Sequence, residues 1–550
     1  MDLTFLQEPP FNLDHEALAW VEETFASLSE SEKIAQLFNP RSAETTTTEA
    51  ARFAQMQPGG VTRTIGADGA AERAYLAQLQ ALAKVPLLIS ADLEGSRMSL
   101  PFGTPVPNPL ALAAIDDLEV TDRISRIMAR EALAVGINWS YTPVIDINHA
   151  FRSAIVATRG YGSDPDRIAR HARTQVKAFQ DAGLAATAKH WPGEGYDDRD
   201  QHLMTTINPL SVADWHANFG RLYRDMIDAG VMSVMSAHIA FPAYVLAQNP
   251  DAGVEAYRPA SISGLLNQKL LREELGFNGL IVSDASEMAG LTSWMPAVKA
   301  KVELLINGCD LVLFSSDPLA EMASVAQALT EGRLTQARFT DAVLRVLGLK
   351  AAIGLHKGTA PQGDFARAED QTYAARVLRR APTLVKDTQD LLPLDVSRHR
   401  RVLIMTTGIV DVLQGGHFEF ALPQMLKAEG FEITIYQPGH KVTPEHYDLI
   451  LYLFGEETLL TRGCIFLDWA KLGGDLRASM ARYWHSIPTA MISFGYPYYL
   501  YDAPRVPTYI NAYATMDGMQ EAVVDLLMGR ADWNRNSPVD PFSGAPDGRY

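Results

Sequence analysis

GLAATAKHWPG, residues 183–193, changes character halfway along its length: Leu184 to Ala188 are apolar apart from Thr187, then Lys189 and His190 follow, and Pro192 and Gly193 turn the chain. A run that is apolar at its entry and polar at its exit reads as a buried strand whose C-terminal end opens on a polar region. The same pattern recurs in GGVTRTIG (59–66), VPLLISADLEG (85–95), INWSYTPVIDIN (137–148), GVMSVMSAHIAFP (230–242), GLIVSDASEM (279–288) and DLVLFSS (310–316). Helix-like segments separate these runs, and strands alternating with helices imply a parallel sheet. Seven runs ending in polar residues, rather than one or two at a switch point, favour a closed barrel over an open sheet. The fold class is therefore α/β, an N-terminal (β/α)8 TIM-like barrel followed by a C-terminal α/β sandwich domain.

The texture changes near residue 355. Residues 1–356 read as the barrel, 357–399 as a linker, and 400–550 as a second α/β domain with strands RRVLIMTTG (400–408), FEITIYQ (431–437), YDLILYLFG (447–455), TAMISFG (489–495) and VPTYINAY (506–513). The last twenty residues, ADWNRNSPVDPFSGAPDGRY, carry too many Pro, Gly and Asn for a regular element.

A chain of 550 residues exceeds what one core usually supports, in keeping with two domains. Its 48 basic and 65 acidic residues leave a formal charge of −17, without the basic footprint that a nucleic-acid partner requires. With only Cys309 and Cys464 and no signal-type start in MDLTFLQEPPF, the expected compartment is the cytoplasm. Two uncharged stretches, 229–250 and 483–501, contain His, Pro and Ser and read as buried strands with their loops, not membrane spans.

The strand ends collect Asp92, Glu94, Asp146, Lys189, His190, His238 and Asp284, a set whose desolvation would be costly without a ligand to balance it. Asp284 emerges from the apolar run LIVS and fits two roles: a carboxylate nucleophile toward a sugar carbon, or the N-cap of the next helix. Asp200 and His202 lie on a loop in the spacing of a proton-transfer pair, the carboxylate fixing one ring nitrogen and raising the basicity of the other. The alternatives are an idle surface loop, or a metal site using His190, His202 or His238 with Asp197 or Asp198. Lys189 and His190 suit sugar hydroxyls, and Arg159 with Asp92 would complete a polyol clamp, although Asp92 and Glu94 also fit helix capping.

Taken in order, ADLEGSRM, INWSYTPVIDIN, TRGYGSDP (158–165), KHWPGEG with its downstream DQH, RPASIS (258–263), SDASEM and NGCDLVLF resemble glycoside hydrolase family 3 over nearly all of the first 320 residues. The resemblance implies a retaining double displacement with Asp284 as nucleophile. It makes Asp200 and His202 the acid/base dyad of the N-acetylglucosaminidase branch, and has Asp92, Arg159, Lys189 and His190 hold the sugar, with Met288 closing the SDxxxM motif. It implies neither metal nor organic cofactor. That branch usually has His in place of Glu194, Ser in place of Gln201 and Gly in place of Ser96, so a plain β-glucoside becomes as good a substrate as an N-acetyl-β-glucosaminide. An imidazole base, unlike a carboxylate, does not repel phosphate, and unit charges at ~4 Å in a partly shielded site interact by about 4 kcal/mol. Phosphate is thus the expected acceptor ahead of water. Other branches take a glutamate acid from the second domain, for which Glu419, Glu456 and Glu457 are the candidates. A silent sugar-binding barrel is the alternative of another class.

Overall fold

The computed structural model describes residues 2–358, 363–411 and 416–550. Among these, eight parallel strand positions close a ring. Arg41–Ser42 pairs with Gly60–Arg63, which pairs with Leu88–Ala91, then Trp139–Ser140. Bridges from Trp139 to Ala185 and from Val144 to Lys189 lead to Thr187–Trp191, followed by Ser233–Ser236 and Leu280–Ser283. A bridge from Val282 to Leu311 reaches Val312–Leu313, which pairs with Phe38–Asn39 and closes the barrel. The eighth position escapes sequence pattern because Pro40 splits it into two dipeptides.

The barrel strands Leu88–Ala91, Thr187–Trp191, Ser233–Ser236 and Leu280–Ser283 are buried throughout, as parallel strands covered by helices must be. The surrounding helices start on sequence signals: in Pro165–Asp181, Asp164 accepts from the Asp166 amide and Pro165 supplies the first turn. The barrel interior holds a hydrogen-bonded plug in which Asn39 Nδ2 and the Ser90 hydroxyl each lie 2.7 Å from Tyr141 Oη, with Thr62 Oγ1 2.9 Å away. Satisfied polar groups fix the strand register beneath the mouth.

The second sheet runs Thr383–Asp387, Thr508–Asn511, Thr489–Ser493, Leu449–Gly455, Arg401–Val410, His417–Phe418, with Glu432–Ile435 also pairing Arg401–Val410. Part of the stretch expected as linker, 357–399, is thus structured: Ala368–Leu378 is helical, and Thr383–Asp387 is an antiparallel edge strand of the second sheet. Its five residues TLVKD lack the length and alternation that would have marked it, and the sheet edge supplies the pairing. Residues 359–362 of that stretch lie outside the described residues. In the tail, Pro546–Arg549 forms one short 3-10 turn, and the Pro538 carbonyl accepts from the Ser163 amide of the barrel at 3.1 Å. Among the described residues no helix is long and apolar enough to cross a membrane.

Candidate active site

At the C-terminal mouth, Lys189 and His190 lie in the last three residues of the strand Thr187–Trp191, and Asp92 with Glu94 follow Leu88–Ala91 by one and three residues. Glu94 sits at the centre of a buried ion lattice: its carboxylate takes Arg159 Nε at 2.8 Å and Nη2 at 2.9 Å, and Lys189 Nζ at 2.8 Å. Lys189 Nζ also donates to Asp92 Oδ1 at 2.7 Å. Burial opposes ionisation of Glu94, but Arg159 and Lys189 outweigh it and hold its carboxyl below the usual range. Burial likewise works against the lysine charge, yet Asp92 and Glu94 raise the Lys189 ammonium above its ordinary value. Neither Asp92 nor Glu94 caps a helix, because the next helix, Pro109–Ile115, takes its cap from Asn108. Asp92, with 43% of its side chain exposed, is the open acceptor of the lattice.

His190 is held more tightly than its expected role of donor to sugar suggests. Its Nδ1 is 2.6 Å from Asp146 Oδ2, and Arg159 Nη2 lies 3.4 Å from Nε2. A guanidinium only donates, so Nε2 accepts and Nδ1 carries the proton that goes to Asp146. Asp146 Oδ1 meanwhile accepts from the His190 and Glu194 amides at 3.1 and 2.8 Å. Gly195, at φ +106°, lets the chain pass the Ile147 carbonyl, where a Cβ would sit 1.9 Å from the oxygen.

Asp284 follows Leu280–Ser283 directly and is not a helix cap: the next helix, Ala289–Thr292, has Met288 at its N-cap, a buried residue with no side-chain cap bond. One carboxylate oxygen, Oδ1, accepts from the Ala285 amide at 2.7 Å, while Oδ2 is buried and without a partner among the described residues. Burial raises its proton affinity, but His190, His238, His202 and the Ala285 amide together bring the carboxyl below its ordinary value. An ionised carboxylate with one bare oxygen has the electronic state a nucleophile needs.

The loop bearing Asp200 and His202 is bound to the segment after Asp284. The Ala289 amide donates to the His202 carbonyl at 3.0 Å and the Gly290 amide to that of Gln201 at 3.2 Å. A Cβ on Gly290 would meet the Gln201 carbonyl at 2.5 Å and His238 Cβ at 2.8 Å, so only glycine permits this approach. Asp200 Oδ1 accepts from both the amide and Nδ1 of His202, each at 2.8 Å, which keeps a proton on Nδ1 and leaves Nε2 as the position that gives or takes the mobile one. His202 remains 24% exposed.

Glu194 and Gln201, two of the departures from the branch pattern, are bonded to each other: Gln201 Nε2 donates to Glu194 Oε2 at 3.1 Å, and its Oε1 accepts from the His238 amide at 3.0 Å. Glu194 Oε1 is buried and unpartnered among the described residues. Burial first, then Asp146, Asp200 and Asp284, push its carboxyl well above the ordinary range. The third departure, Ser96, stands at φ +49° and donates to Glu457 Oε1 of the second domain at 2.8 Å.

The second-domain glutamates are otherwise engaged. Glu457 also accepts from the Thr515 amide at 2.7 Å, Thr515 Oγ1 at 2.6 Å and Asn108 Nδ2 at 3.3 Å, joining the two domains. Glu456 accepts from Tyr499 at 2.5 Å, and Glu419 is exposed. Donor atoms of Asp146, His190 and Glu194 lie within 4.8 Å of one another, a set different from the metal alternative raised by sequence. Of that alternative, His238 donates Nε2–H to the Ala285 carbonyl at 3.0 Å and pairs through Nδ1 with Ser261 at 2.9 Å. Asp197 holds Arg199, and Asp198 is exposed. Glu94 and Asp146, which the sequence places at strand ends without naming their partners, hold the mouth together from within, Glu94 through Arg159 and Lys189 and Asp146 through His190 and the Glu194 amide.

Residues 30–349 match the glycosyl hydrolase family 3 N terminal domain. Across 98% of its length the chain is 38% identical to the beta-N-acetylglucosaminidase/beta-glucosidase of Cellulomonas fimi, of which it covers 99%. Among solved structures it is similar to beta-glucoside phosphorylase BglX bound to 2FGlc, with a TM-score of 0.91, 32% identity, and coverage of 99% of this chain and 100% of that one. It is also similar to a family 3 beta-N-acetylglucosaminidase from Paenibacillus sp. str. FPU-7, with a TM-score of 0.80, 25% identity, and coverage of 94% and 99%.

Proposed function

The chain belongs to glycosyl hydrolase family 3, and from that premise we propose that it cleaves terminal β-glucosides by double displacement with inorganic phosphate as the preferred acceptor. The observation that carries the reading is the pairing of a bare, ionised Asp284 carboxylate with an imidazole, rather than a glutamate, as the nearby proton carrier.

In the first half-reaction Asp284 Oδ2 forms a bond to the anomeric carbon as the bond to the aglycone oxygen breaks, and His202 Nε2–H gives its proton to that oxygen. Asp200 stabilises the imidazolium beforehand through Nδ1. In the second, an oxygen of phosphate attacks the same carbon, the ester to Asp284 breaks, and His202 recovers a proton from the acceptor. Two inversions restore the β configuration, so the product is a β-glucose 1-phosphate. The electrostatics favour this order: Asp284 is uncharged as an ester, and burial together with the neighbouring carboxylates raises the Glu194 carboxyl, which lessens its charge against an anion. Asp92, Lys189, Arg159 and Glu194 hold the sugar, the Glu194 oxygen without a partner being able to donate to or accept from a hydroxyl. The reading calls for no metal or organic cofactor, and a cytoplasmic setting would retain the sugar phosphate.

A second reading, hydrolysis of β-glucosides or N-acetyl-β-glucosaminides, is favoured by the name of the Cellulomonas fimi relative. Nitrophenyl β-glucoside and nitrophenyl N-acetyl-β-glucosaminide, each assayed with and without phosphate, separate the two. Phosphorolysis requires that phosphate accelerate glucoside turnover and that glucose 1-phosphate replace glucose. Free glucose released at an unchanged rate would reject it.

A further inference from the structure

The loop after the second-domain strand Leu449–Gly455 does more than cover the barrel. Thr458 Oγ1 donates to the Ala154 carbonyl at 2.6 Å, the Leu459 amide donates to the same carbonyl at 3.0 Å, and Ser153 and Cys464 form an antiparallel bridge. Thr158 Oγ1 donates back to the Glu457 carbonyl at 3.1 Å. At the far side of this staple the Thr461 amide donates to Asp200 Oδ2 at 2.8 Å, across 261 positions of sequence. Thr461 holds φ +62°, a left-handed conformation that a β-branched residue rarely takes and that the staple imposes.

We propose that the second domain positions the acid/base dyad through the Thr461 backbone amide. Asp200 is buried, and its other oxygen is fully used by the His202 ring and amide. A carboxylate bonded only through Oδ1 can swing about its Cβ–Cγ bond and carry the imidazole with it. The Thr461 N–H fixes that torsion, so the ring points its free nitrogen at a constant place. A buried carboxylate oxygen also needs a donor, and no other partner for Asp200 Oδ2 is found among the described residues. The barrel supplies the dyad and the second domain orients it. The inference rests on the reading of Asp200 and His202 as the proton carrier.

The test uses the full chain and two aryl β-glucosides, one with a dinitrophenolate leaving group that departs without protonation and one with a phenolate that needs it. An amide-to-ester exchange at Thr461, made with the α-hydroxy analogue of threonine, removes the donor while keeping the side chain and the left-handed backbone. Thr461→Pro also removes the donor, but its ring cannot hold φ +62°, so it serves as the control in which the loop is displaced as well. Loss of the donor should lower kcat/KM on the phenyl glucoside by about 10-fold or more, a fraction of what general acid catalysis contributes, and leave the dinitrophenyl substrate within about 2-fold. Thr461→Gly, which keeps the N–H and relaxes the backbone, should retain the phenyl glucoside activity that the ester variant loses. Equal losses on both substrates in the ester variant, no loss on either, or a glycine variant as impaired as the ester one would overturn the inference. His202→Ala, run in parallel, tests the underlying reading: if it fails to discriminate between the leaving groups, the dyad assignment itself falls.

Discussion

Replacing Glu94 by Gln should destabilise the barrel while changing almost no volume. In the folded protein this carboxylate makes three charge-assisted contacts of 2.8 to 2.9 Å with Arg159 and Lys189, whose side chains are 8% and 2% exposed. The amide of Gln accepts at one oxygen only and turns its NH2 toward a cation. Lys189 keeps Asp92 as partner, but the Arg159 guanidinium loses its bidentate counter-ion inside the protein. Removing one member of a buried ion pair costs about 3–5 kcal/mol, against total stabilities of about 5–15 kcal/mol. With a melting shift of about 2–4 °C per kcal/mol in larger domains, the variant should melt roughly 6–20 °C below the parent near pH 7. The pH dependence has a definite sign. Because the folded protein holds the Glu94 carboxyl below its ordinary value of 4.5, its contribution is complete above that value and fades as the pH falls further. The gap between parent and variant should therefore narrow in acid. Calorimetry from pH 3.5 to 8 measures both. A variant melting within about 1 °C of the parent at neutral pH, or a gap that widens in acid, would refute the lattice as a source of stability.

Asp284→Ala should lower turnover of nitrophenyl β-glucoside by about four orders of magnitude or more, and residual activity within 10-fold of the parent would contradict its role as nucleophile. Glu194→Gln acts with opposite sign to Glu94→Gln. Since the folded state raises the Glu194 carboxyl, this group's contribution to stability is most favourable below pH 4.5 and is lost as the pH climbs through the raised value, a loss the Gln variant is spared. Urea denaturation should show the variant gaining on the parent toward alkaline pH, by about 1.4 kcal/mol for each tenfold change in proton affinity, and a difference flat in pH would count against the assignment. Glu457→Gln sets its NH2 against that of Asn108, whose Oδ1 is already committed to the Ala111 amide. It should cost about 1–3 kcal/mol in a denaturant midpoint without introducing leaving-group sensitivity. Selective loss on phenyl over dinitrophenyl glucoside would make Glu457 the acid instead.

Much of the barrel was legible because parallel strands advertise themselves: runs such as LIVSD and TAKHW are apolar where they are buried and polar where they emerge. The closing strand was not, since four residues broken by Pro40 carry no period. At the site, residue type and position at a strand end located Asp284, Lys189 and Asp146, but partnership is a property of space. Nothing local announces that Glu94 will be shared by Arg159 and Lys189, that Gln201 will bridge Glu194 and His238, or that a backbone amide at 461 will meet Asp200. Asp92 and Glu94 also looked like helix caps until Asn108 proved to fill that place.

The staple at residues 457–464 has a consequence for anyone trimming this enzyme. A fragment ending at residue 356 would retain all eight barrel strands and every side chain proposed for the chemistry. It would nevertheless leave the Ala154 carbonyl, the Ser96 hydroxyl and the dyad aspartate searching for water in places shaped for protein. Such a minimal enzyme would have to be redesigned along that seam, with new donors supplied from its own loops, before its proton carrier stood still.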